Sequence, residues 1–136
     1  MSDTNTLVIT PFLRNTLLLD GLVSGAAGVV MLAGATVIAP LTDLPAALLA
    51  WAGGLLLPWC VALVALSRRA TLPRLWLIDI VAANALWIAA SFGILVSGAV
   101  EPNLIGYGFV VMQALAVVVF AELQIIAVRR NRTAEA

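Results

Sequence analysis

The stretch LPAALLAWAGGLLLPWCVALVALSRR, residues 44–69, decides the fold. From Leu44 to Ser67 it carries no charged side chain, and the pair Arg68-Arg69 closes it. An α-helix rises about 1.5 Å per residue, so roughly 20 apolar residues cover a hydrocarbon core about 30 Å thick. Three further uncharged runs match it, Gly21–Thr42, Ile80–Val100 and Pro102–Ala121. Isolated strands would leave backbone groups unsatisfied in lipid, and the runs are too long and continuous for barrel strands. The expected fold is an all-α integral membrane protein, a four-transmembrane-helix bundle over residues 1–136. Its helices are expected near 12–39, 45–67, 74–99 and 103–128, with a short polar tail at 129–136.

Composition agrees. Apolar residues make up 63% of the 136-residue chain and charged ones 10%, too little polar surface for an ordinary soluble domain. Seven arginines balance seven acids, and there is no lysine and no basic stripe to neutralise phosphates, so nucleic acid is not expected as a partner. The lone cysteine, Cys60, has no partner for an intrachain disulfide. Pro11, Pro40, Pro45, Pro73 and Pro102 fall near helix ends, where a missing N–H does little harm. Pro58 is the exception, and a bend is expected around Gly53, Gly54 and Pro58.

Orientation follows from the arginines, which are retained on the cytoplasmic side in short loops. Arg14 precedes the first helix, Arg68, Arg69 and Arg74 lie between the second and third, and Arg129, Arg130 and Arg132 follow the fourth. The opposite loops carry only Asp43 and Glu101. Both termini are therefore expected in the cytoplasm, most naturally at a bacterial inner membrane. Leu17–Leu32 followed by Ala33-Gly34-Ala35 has the form of a cleavable signal. Asp20 interrupts that run, so the first helix is expected to be retained.

The chain also reads as a duplication. Thr10-Pro11-Phe12-Leu13-Arg14, followed by Leu19-Asp20, parallels Thr71-Leu72-Pro73-Arg74, followed by Ile78-Asp79. Each half continues through an apolar helix, an acidic loop and a second helix to paired arginines. Two helices per repeat give tandem parallel hairpins.

Polar residues inside the spans are the functional leads, because an ionisable group in lipid is costly and usually pairs or lines a path. Asp20, Asp79 and Glu122 lie a few residues inward of the arginines and are expected at one shallow depth, paired with the basic belt. The other reading is a cytoplasm-facing polar pocket. Asn84, Trp87 and Ser91 share a stripe of the third helix, and Gln113 and Gln124 one face of the fourth, with Glu122 nearly opposite. Asn84 and Gln113 are expected to bond between helices, with a ligand site beside Trp87 as the sharper reading. Gly21, Gly25 and Gly28 form a small-residue face suited to close packing of the first helix within the chain.

No histidine, no clustered metal-ligand spacing and no nucleophile or phosphate-loop motif is present, so neither enzyme nor cofactor is expected. In length and number of spans the chain is similar to the small fluoride channels and small multidrug transporters. It departs from the latter in carrying Asp20 near the inner edge rather than a glutamate well inside the first helix, and from both in its one-sided arginines. The preferred expectation is a structural or accessory membrane protein, in contact with the bilayer and with a partner or a copy of itself. The alternative is a small-solute or proton-coupled transporter or channel that uses the inner acids and the Asn, Gln and Trp groups.

Overall fold

The computed structural model describes residues 5–135, with side chains to residue 131. The order is β1 (Thr6–Val8), α1 (Pro11–Ala33), α2 (Ala35–Thr42), α3 (Ala46–Ser67), β2 (Thr71–Pro73), α4 (Arg74–Val96) and α5 (Leu104–Glu135). Four stretches are long and apolar enough to cross a membrane: Pro11–Ala33, Ala46–Ser67, Arg74–Val96 and Leu104–Asn131. Trp51, Leu86, Val96 and Leu104 are among the large apolar side chains left exposed on them, a surface that belongs in lipid rather than water. These properties point to a membrane location.

The first span is not one helix to residue 39. It breaks at Gly34, whose φ of −99° and ψ of 9° leave the helical region, and α2 restarts as both Val37 and Ile38 donate to the Gly34 carbonyl. Pro40, which has no N–H to give, sits within that second piece. Asp43 ends it in the left-handed region at φ 56°, a conformation short polar side chains tolerate. Pro58 does not end its helix: α3 is continuous from Ala46 to Ser67, although the Gly54 carbonyl one turn earlier has no N–H from residue 58 to accept.

α1 is the most enclosed span, with 44% of its most apolar stretch buried against 17–22% for the other three. It lies along α3 and also touches α5, while α4 packs on α5. The α1–α3 seam is built from backbone. A Cβ on Gly28 would come within 2.8 Å of the Gly53 carbonyl oxygen, and one on Gly53 within 2.7 Å of the Gly28 oxygen. At the next level up the seam, a Cβ on Gly25 would lie 2.6 Å from the Cys60 sulfur. α3 and α4 have no such approach, and cavities open between them.

β1 and β2 form a two-stranded antiparallel pair that the sequence reading did not anticipate, with Thr6 opposite Pro73, Leu7 opposite Leu72 and Val8 opposite Thr71. Leu7 and Leu72 are fully buried and join Leu13, Leu17, Leu63 and Leu77 in one apolar cluster. A second cluster, around Met31, Leu44, Leu49 and Val110, fills the opposite end. Arg14, Arg69 and Arg130 gather at the strand end. Arg14 donates from Nε to the Ser67 carbonyl and from Nη2 to that of Arg69, Arg69 lies over Trp76, and Arg130 lies over Phe12. At the far end Asn103 donates to the Leu41 carbonyl, and Gly106 fits so closely on the Thr42 carbonyl that a Cβ there would overlap it.

Candidate functional site

Between the two apolar clusters the helices turn polar side chains inward at two levels. In α1, Asp20 and Ser24 are one turn apart and face the same side, and Ser24 Oγ donates to Asp20 Oδ1 at 3.2 Å. From α4, Asn84 Nδ2 donates to Asp20 Oδ2 at 3.1 Å and to Gln124 Oε1 at 2.9 Å. Gln124 of α5 closes the triangle, with Nε2 2.7 Å from Asp20 Oδ2. All of these side chains are buried, with Gln124 at 0% and Asp20 at 1% exposure. The carboxyl thus accepts three hydrogen bonds from neutral groups on three helices, and among the described residues no arginine bonds to it.

The second level lies about 17 Å along α5, the rise of the eleven residues from Gln124 back to Gln113. Trp87 Nε1 donates to Gln113 Oε1 at 2.7 Å, and Gln113 Nε2 donates to Ser91 Oγ at 2.9 Å. Ser91 in turn donates to the Trp87 carbonyl at 2.7 Å, so the indole is held from both ends of its residue.

Two cavities share Trp87 as a wall. One, about 170 Å³, lies at the α2 end against Met31, Leu49, Ser91, Phe109 and Gln113. The other, about 180 Å³, lies toward the Asp20 level and is lined by Ser24, Leu55, Leu56, Trp59, Asn84 and Val117, among others. Trp87 therefore borders both chambers, each lined by apolar side chains together with hydrogen-bonded polar groups.

No family model, curated protein or solved structure matches this chain. Function must be argued from the site itself.

Of the residues singled out in the sequence, Asp20, Asn84 and Gln124 meet at one level and Trp87 and Gln113 at the other. Asp79 and Glu122 do not join them. Both are exposed on the outer faces of α4 and α5, so the three acids form no ring. Nor does Asp20 pair with the basic belt, because Arg14 is spent on carbonyls at the end of α3, where the helix dipole favours a cation. Ser24 joins the site without having been singled out in the sequence, where its position one turn after Asp20 was the available signal. Among the described residues no three His, Cys, Asp or Glu side chains gather as metal ligands.

Proposed function

We propose that this chain is a membrane-embedded binding protein or carrier, without enzymatic activity, that takes a small solute between its helices. In this reading it inserts as a four-helix bundle of two tandem hairpins in a bacterial inner membrane, with the arginine-bearing end in the cytoplasm. The observation that carries it is Asp20, buried with no ion pair among the described residues and held by neutral donors, of which Ser24 and Asn84 line a cavity.

Magnitudes separate this from a purely structural role. Interhelical hydrogen bonds in membranes contribute about 0.6 kcal/mol on average, and an asparagine at this position could make them. An aspartate at a helix centre costs roughly 2.5–3.5 kcal/mol on insertion scales. A bundle selected only for cohesion gains by discarding the charge, so its retention argues for a task beyond packing.

Liposomes holding wild type are to be compared with liposomes holding Ala83→Phe, a change that fills the cavity wall, for uptake or retention of small apolar and hydrogen-bonding solutes. Wild type is expected to bind or move at least one, and the filled variant none. If wild type matches empty liposomes for every solute, the carrier reading is lost. The accessory reading, contact with a partner or a second copy, is favoured by one observation: Glu122 and Asp79 face outward from apolar helices. Cross-linking in native membranes that is lost in Glu122→Ala would support it.

A further inference from the structure

The Asn84 amide is spent unevenly. Its nitrogen donates twice, to Asp20 and to Gln124, and both of those neighbours present oxygens, which dictates that nitrogen rather than oxygen points at them. Among the described residues nothing donates to the carbonyl oxygen, Oδ1, although Asn84 is only 4% exposed. It is not sealed in protein either, since it is not among the buried side-chain atoms left without a hydrogen bond. Asn84 lines the cavity of about 180 Å³, the space into which an unbonded Oδ1 can open. Ser24 lines the same cavity with its proton committed to Asp20, so its oxygen too is offered as an acceptor.

The remaining walls are apolar or aromatic, with Leu55, Leu56, Trp59, Trp87 and Val117 prominent. Apolar cavities of about 150 Å³ in other proteins hold a single benzene, so one six-membered ring fits here. Resting on the reading of the chain as a binding protein, we propose that this cavity is a site for a small neutral aromatic molecule bearing one hydroxyl or N–H donor, of the phenol class. Its ring lies among the apolar walls and its donor bonds Asn84 Oδ1.

Asp20 takes part without touching the ligand. A carboxylate accepting from the Asn84 N–H polarises the amide and makes its carbonyl a stronger acceptor, as in any chain of hydrogen bonds. The same arrangement disfavours ligands that carry an acceptor alone, which would meet Oδ1 oxygen to oxygen. A charged ligand would have to leave its water shell for these apolar walls.

The test uses wild-type protein in lipid nanodiscs, titrated calorimetrically with phenol, anisole, toluene and benzylammonium, with empty nanodiscs subtracted. Phenol is expected to bind about tenfold more tightly than anisole or toluene, the scale of one well-made hydrogen bond. In Asp20→Asn the phenol advantage should shrink severalfold while toluene affinity stays unchanged, a split that general loosening of the fold would not give. Equal affinity for phenol and toluene, or tighter binding of benzylammonium than of phenol, would overturn the donor assignment and leave the binding reading standing. Absence of binding by all four would overturn the aromatic site, while the binding reading itself stands or falls on the liposome comparison. The wild-type series decides these outcomes even if a variant fails to fold.

Discussion

Gly28 and Gly53 meet backbone to backbone across the α1–α3 seam, and neither position has room for a methyl group, because the atoms in the way are main-chain oxygens that cannot swing aside. Gly28→Ala or Gly53→Ala should therefore cost about 1–3 kcal/mol, the usual range for overpacking. Gly54, the next residue on α3, has nothing within 4 Å of its Cβ position. Gly54→Ala should be neutral or slightly stabilising, since alanine is the better helix former. Thermal or denaturant unfolding in detergent that ranked Gly54→Ala with the other two would contradict the seam. Asp20 gives a second residue-scale prediction, by separating charge from hydrogen bonding. Asp20→Asn keeps acceptor capacity and sheds the charge, so stability should hold or rise. Asp20→Leu strands the donors of Asn84, Gln124 and Ser24, at roughly 1–3 kcal/mol for each that finds no new partner. Equal stability of these two variants would mean that the triangle contributes nothing to cohesion.

Elements show where the sequence was readable. The spans were legible because uncharged length is a direct physical requirement of a bilayer, and five prolines near helix ends framed them. The break at Gly34 was not, because glycine and proline are common enough in apolar helices that neither announces a restart. The strand pair was not legible for a related reason: Thr6-Leu7-Val8 has two β-branched residues but is very short, and pairing depends on a partner some 65 residues away. The candidate site was half legible. Helical phase put Asn84, Trp87 and Gln113 inward, but depth counted from the nearest arginine made Asp20 look like an edge residue. What that counting lacked was Arg14's commitment to the end of α3, which leaves the acid to neutral partners. The strand register is itself open to test. Val8→Cys with Thr71→Cys, in a Cys60→Ser background, should form an intrachain disulfide under mild oxidation, detected as the loss of two hydrogen atoms by mass spectrometry. Val8→Cys with Leu75→Cys should not. Equal cross-linking of both pairs would mean that the register is not held.

At the scale of the whole molecule, polar and apolar layers alternate along the axis. An arginine-rich end capped by the strand pair gives way to a leucine cluster, then the Asp20 triangle, the two cavities about Trp87, and a second apolar cluster beneath Asp43. The asymmetry of the ends is electrostatic, and in a membrane it should set the direction of insertion, because basic loops are retained in the cytoplasm. Asp43, Ala70 and Glu101 are all exposed, and none has a side chain buried in the packing. Single cysteines at these positions, in the Cys60→Ser background, can therefore be reached by a membrane-impermeant maleimide without disturbing the core. In intact bacterial cells Asp43→Cys and Glu101→Cys should label, while Ala70→Cys should label only after the cells are opened. The reverse pattern would invert the proposed orientation. It would also place the Asp20 cavity nearer the outer face, so that a solute arriving from outside would meet the triangle before Trp87. Labelling of all three from outside would mean that the chain inserts both ways, and the arginines would then not govern its topology.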